Sequence, residues 1–217
     1  MPTPKFDKLC IELVKRIPDQ LQDDTFVPGS GELPDAFLLK AEIIIDFINR
    51  ALQTFFNLSW QKLEEKVQAF INTFPEMQKV SDEEALTAGI FEIEDPYLDF
   101  YKIIGAFITG DTIEGRIYAK PKAENLYTHF LAGKYKSYQA TVSDPAIIQV
   151  EKKLEVFPKD TSFANINFHY IKLPLDPETG NPFIQDGDYD SPFAEQWHKE
   201  IVNIAYGLWL EEAAQTQ

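Results

Sequence analysis

The chain has 217 residues, 44% of them hydrophobic and 13% aromatic, which is enough apolar material for one folded domain or one domain with an elaboration, and excludes wholesale disorder. A formal net charge of −15 argues against affinity through counterion release from nucleic-acid phosphates and against anionic lipid. The single cysteine, Cys10, excludes an intrachain disulfide and a cysteine zinc cluster, and is expected as a small buried residue of the first helix.

Met1 to Lys5 has no long apolar run of the signal-peptide kind. Phe6 to Ile17 reads as a short amphipathic helix, with Phe6, Leu9, Cys10, Leu13 and Ile17 on one stripe. Asp23 to Asp35, holding Pro28, Gly29, Gly31 and Pro34, reads as a loop. Pro34 or Asp35 opens the longest helix. Its apolar stretch, Ala36 to Phe56, is broken by Lys40, Glu42, Asp46, Asn49 and Arg50, so no membrane span of about 18 apolar residues is expected. Asn57-Leu58-Ser59 is expected to separate this helix from a second, with Ser59 as N-cap and Pro75 near its end, giving an antiparallel pair. Ser81-Asp82-Glu83-Glu84 fits a capping box and predicts one more short helix.

After Gly89 the pattern changes. Tyr101 to Phe107 and Thr112 to Ala119 suit strands, joined at Thr109-Gly110-Asp111 as a hairpin. Ala123 to Leu131 suits a helix ending at Gly133. Ala146 to Val150, Lys153 to Phe157 and Ile166 to Leu173 read as a three-strand meander. Pro174 to Pro192 reads as a long polar loop. Ser191 as N-cap and Pro192 at the first helical position then predict a final helix, whose apolar face carries Phe193, Trp197, Ile201, Ile204, Ala205, Leu208 and Trp209. The expected fold is α+β in a single domain. A helical part with a helix pair covers about 1–90, a small antiparallel hairpin and meander about 91–175, and the loop with the C-terminal helix about 176–217. Trp60, Phe70, Trp197 and Trp209 are expected in the core.

Residues that carry chemistry are sparse. His129, His169 and His198 have no metal-ligand spacing, and His198, followed by Lys199 and Glu200, suits a solvated helix face. Pro28-Gly29-Ser30-Gly31 lacks the G-K-[ST] ending of a phosphate loop. Asp186, Asp188 and Asp190 alternate as calcium ligands do, but Ser191 and Trp197 stand where an EF-hand needs Gly and Glu. Glu83, Glu84, Glu92, Glu94 and Asp95 are paired acids without a marked cleft. No catalytic residue, cofactor or metal is assigned, and an enzyme is not expected.

Asp144-Pro145 through Phe157-Pro158, then Asn167-Phe168-His169-Tyr170-Ile171-Lys172-Leu173-Pro174, then an Asp-rich loop, then Ser191 to Leu208, form an ordered series. It resembles the head-to-tail adaptor or ring proteins of tailed bacteriophages, with crAss-like phages nearest, over about residues 144–210. His198, Ile201, Val202 and Ala205 keep the spacing of that family's last helix, while Ala194-Glu195 replaces its Pro-Glu. The resemblance implies a virion structural protein made in the host cytoplasm. It implies a ring homo-oligomer, about twelve-fold, contacting the portal and tail components beneath the capsid. DNA would pass through the lumen without sequence-specific binding, as acidic charge allows, and no membrane is involved. Pro28, Gly29, Asp176, Pro177, Asp186 and Asp190, in the two long loops, are the expected interaction residues. The alternatives are an unrelated α+β protein-binding module and a calcium-dependent or carboxylate-based enzyme.

Overall fold

The computed structural model describes residues 6–17, 35–63, 67–94, 97–110, 113–132, 140–159, 162–175, 181–182 and 191–215. Its elements in chain order are α1 (Phe6–Val14), α2 (Asp35–Lys62), α3 (Val67–Thr73), β1 (Gln78–Val80), β2 (Glu84–Ala85), β3 (Ile90–Glu92), β4 (Phe100–Thr109), β5 (Ile117–Lys122), α4 (Tyr127–Ala132), β6 (Ala146–Val150), β7 (Lys153–Phe157), β8 (Asn165–Lys172) and α5 (His198–Gln215). They fall into two units. Residues 1–77 with 173–217 form a helical unit, and residues 78–172 form a β unit inserted in the chain between α3 and α5.

In the helical unit, α2 buries Ile44, Phe47, Ile48, Ala51, Leu52, Phe55, Phe56 and Trp60, an unbroken stripe at helical spacing. Its far end joins an aromatic cluster. Trp60 and Phe56 lie 5.1 Å and 5.5 Å from Phe70 of α3. Phe55 meets Phe74 edge-on at 5.8 Å and Phe193 at 5.0 Å, and Phe74 lies 5.0 Å from Trp197. The Glu76 carboxylate accepts a 2.9 Å bond from the Ala194 N–H, at the 3-10 turn Glu195–Trp197 that leads into α5. Arg50 bonds Glu212 at 3.0 Å, joining α2 to α5, and Arg16 bonds Asn203, joining α1 to α5.

The β unit is a curled eight-stranded sheet in the order β1-β8-β4-β5-β6-β7-β3, with β2 also on β8. Most neighbours are antiparallel; β5 and β6 are parallel, with α4 in the crossover between them. One face carries the core: Ile103, Ala106, Ile108, Ala119, Ile147, Leu154, Val156, Ile166, Phe168 and Tyr170, with Ile93, Tyr97 and Phe163. β4 has register shifts between Phe100 and Gly105. There the Gln149 side chain takes the place of a strand. Its Oε1 accepts from the Ile103 N–H at 3.2 Å, and its amide donates to the Tyr101 carbonyl at 3.1 Å.

The expected α+β fold, with a helical first ninety residues and a small hairpin and meander, is therefore corrected to a mixed α/β chain dominated by a large sheet whose first three strands lie within 78–92. The Asn57-Leu58-Ser59 break is absent, because α2 continues to Lys62. Asn and Ser cost a helix only about a few tenths of a kcal/mol. Burying Trp60 on the same stripe outweighs that. Ser81 caps no helix; it is buried between β1 and β2, exchanging 2.8 Å bonds with the Phe168 backbone through its own N–H and its hydroxyl. The hairpin exists as β4 and β5, but β5 starts at Ile117 rather than Thr112. Strands β6, β7 and β8 occur where expected and do not form a meander, since β8 pairs with β1, β2 and β4, while β7 pairs with β3 and β6.

The final helix begins at His198, not at Ser191 or Pro192. The Ser191 hydroxyl instead accepts from the Phe193 N–H and donates to its carbonyl, and Ala194 is extended at ψ 152°. Trp197 and Trp209 are only partly buried, as is Cys10. No helix is long and apolar enough to cross a membrane among the described residues.

Trp60→Ala is expected to cost about 3–5 kcal/mol in urea unfolding. Trp209→Ala, which removes a partly exposed ring stacked on Tyr206, is expected to cost about 1 kcal/mol or less. Equal losses for the two variants would contradict the core placed here.

Candidate functional site

Three arrangements in the structure hold polar or aromatic groups in defined positions. The first is a carboxylate–tyrosine network along the β1–β2 side of β8. Asp99 is 1% exposed. It accepts a 3.1 Å bond from the Tyr170 hydroxyl and a 3.3 Å bond from the Lys79 ammonium. Tyr97, edge-on to Tyr170 with the ring centroids 6.1 Å apart, donates to Glu84 on β2. Burial raises both phenols well above their ordinary range, helped by the Asp99 charge at Tyr170 and by the Glu84 bond at Tyr97. Both rings therefore stay neutral donors at physiological pH. With both carboxylates engaged by strand and loop side chains, the network ties the short strands β1 and β2 and the 97–99 turn to β8.

The second is His198 at the first position of α5, 3% exposed with its Nε2 buried and unpartnered. Its other ring nitrogen bonds the Phe193 carbonyl. Burial lowers its pKa, only partly opposed by that bond and by Glu12 and Glu195, while Lys8 adds to the lowering. The solvated helix face expected for His198 is thus corrected: the side chain belongs to the helical core.

The third is the sheet face opposite the β-unit core. Because Ile166, Phe168 and Tyr170 point into that core, Asn167 and His169 point away from it. Register places Phe107 between Asn167 and Tyr118, and His169 between Val80 and Gly105. Phe107 lies 5.5 Å from Tyr118 and 5.9 Å from His169, forming an aromatic row across β5, β4 and β8. Gly105 makes room for the Tyr118 end of this row: a Cβ there would lie 2.5 Å from the Tyr118 hydroxyl and would push the ring off β4. Tyr118 stays 45% exposed and Val80 50% exposed. The β6–β7 part of the same face is covered by the segment of α4: Tyr127 donates to Glu155 at 3.0 Å and Phe130 lies 5.5 Å from Phe157. The covered half explains its apolar residues; in the aromatic row Tyr118 is exposed, while Phe107 and His169 are half-buried and the Gln78 amide lies 3.4 Å from the His169 Nδ1.

The sequence-derived candidates divide accordingly. Pro28, Gly29, Asp176, Pro177, Asp186, Asp188 and Asp190 lie outside the described residues, as does Asp95. Among the described residues no group of three or more His, Cys, Asp or Glu is placed to hold a metal ion. Glu83 accepts from Thr109, Glu84 from Tyr97, and Glu92 pairs with Lys153 at 2.7 Å, so these acids are dispersed among separate contacts. His169, read only as an isolated histidine, sits in the aromatic row. Asp99 was not singled out by any motif. Comparison with known proteins returns no matching family model and no matching curated protein.

Asp99→Ala is expected to cost about 1–3 kcal/mol by leaving the buried Tyr170 hydroxyl without its acceptor, read by urea unfolding. For His198, the folded pKa lies below the unfolded one, so its neutral form stabilises the fold at neutral pH. That stability is present above the unfolded value near 6.5 and is lost as pH falls toward the folded pKa. Melting temperature should fall between pH 7.5 and 5.5 in the wild type and vary less in His198→Asn, whose amide can keep the Phe193 bond. An equal slope in both proteins would assign the pH dependence elsewhere.

Proposed function

We propose that this protein is a non-enzymatic assembly component, a ring-forming head-to-tail adaptor that sits beneath the portal of a tailed-phage virion, links capsid to tail and lets DNA pass. The observation that carries the reading is the aromatic row Tyr118–Phe107–His169. Its Tyr118 end packs over Gly105 and is exposed, on a face whose other half is covered. A soluble monomer gains nothing from ordering aromatic rings toward water, whereas an interface does. The resemblance of residues 144–210 supplies the class, and the acidic composition supports passage of DNA without adhesion.

The same face also serves the second reading, a protein-binding module of unrelated role, because aromatic faces are used by both. Mass photometry of the purified chain, alone and mixed with a tailed-phage portal, separates them. The adaptor reading expects closed homo-oligomers, or oligomers that form only on the portal. A chain that stays monomeric in both conditions, and forms a one-to-one complex with an unrelated protein, would favour the module.

A further inference from the structure

We propose that the face of the β unit carrying the exposed Tyr118 is a contact between copies of this chain, and that it receives the acidic helical unit of a neighbouring copy. The inference rests on the ring-forming reading above and names the surfaces that make the ring.

Charge is divided unevenly along the chain. Residues 78–172 carry 11 Lys and Arg against 14 Asp and Glu, whereas the remaining residues carry 9 against 21. The near-neutral β unit places cations beside its aromatic row. Lys120 and Lys122 follow Tyr118 at every second position of β5 and so share its face, with Asp144 bonded to Lys120 at 2.9 Å. The helical unit is the more acidic of the two. Ile43 of α2 is 53% exposed, and Asp46 and Arg50 follow it at i+3 and i+7 on one face. Arg50 gathers Asp46 at 3.5 Å and Glu212 of α5 at 3.0 Å, so two exposed carboxylates share one guanidinium beside an exposed apolar side chain.

An aromatic row edged by lysines and an isoleucine edged by carboxylates are complementary in both apolar and charged content. They are different surfaces, so the contact is heterologous and repeats from copy to copy until rotation closes it into a ring. Strand addition is the poorer route. The edge strands β1, β2 and β3 are three, two and three residues long, and carry Lys79, Glu84 and Glu92, features that block edge pairing.

A heterologous contact has a mixing test. Tyr118→Glu blocks the β face and leaves the helical face intact; Ile43→Glu does the reverse. Analytical ultracentrifugation should show the wild type assembling, each variant alone weakened at least about tenfold, and an equal mixture of the two forming one-to-one dimers that grow no further. Lys122→Glu, at an exposed position of the same face, should weaken wild-type assembly as well, and circular dichroism confirms that each variant is folded. If the wild type assembles and folded Tyr118→Glu assembles equally well, this contact is wrong while the ring reading stands. A mixture that remains monomeric also overturns it. If the wild type itself never assembles, alone or on a portal, the ring reading falls and takes this inference with it. Binding of a labelled single-stranded oligonucleotide by the wild type, lost in Tyr118→Glu, would put nucleic acid on the face and overturn the contact between copies.

Discussion

β8 has to be paired along both edges, and the β unit is organised around that requirement. Its inward row, Ile166, Phe168 and Tyr170, is fully buried, so neither edge of the strand can be left to water without stranding backbone groups beside the core. β4 fills one edge along nearly its whole length. The other edge is filled piecewise by β1 and β2, with the Ser81 backbone and hydroxyl bridging the gap at Phe168. The Asp99 network then holds those short pieces in place through Lys79, Tyr170, Tyr97 and Glu84. The alternation that buries one side of β8 also fixes which positions stand on its opposite side, those of His169 and Asn167, and so the place of the aromatic row, though not its composition, follows from how the core is built.

The parts of the fold that were legible in the sequence are those set by local pattern. Ala146 to Val150 and Lys153 to Phe157 match β6 and β7 at both ends, because a run of β-branched residues around a two-residue turn has few other solutions. The start of α2 at Asp35 followed from a preceding proline and a following apolar period. What was illegible depended on distant partners. Nothing near Lys153 to Phe157 reveals that its second neighbour is β3 rather than β8. Ser81 has the spacing of a helix cap, and only the Phe168 backbone across the sheet makes it a strand residue. Ser191 and Pro192 form a sound helix start locally, yet the pull of Phe193 into the ring cluster of Phe55 and Phe74 keeps that stretch extended.

The same division explains the candidate site. Motif searching looks for several reactive residues at short spacing, and this chain has none of that kind. Asp99 and Tyr170 are 71 residues apart and Phe107 and His169 are 62 apart; only strand pairing brings either pair together. His198 carried a misleading signal. Its charged neighbours Lys199 and Glu200 suggested solvent, but on a helix consecutive residues point about 100° apart, so one histidine can be buried between exposed charges.

The β unit enters and leaves the chain through neighbouring positions, since Gln78 of β1 is the ladder partner of Ile171 of β8. Opposed residues of an antiparallel pair lie about 5 Å apart. The insert therefore behaves as a cassette with its two ends stapled together. A linker of two or three residues would be long enough to reconnect the chain after the cassette is cut out, and the same cassette could be moved into another turn between helices. Gain, loss or exchange of the whole sheet is in this way a change at one point of the gene, which lets a helical scaffold acquire a different appended unit without altering the order of its own helices.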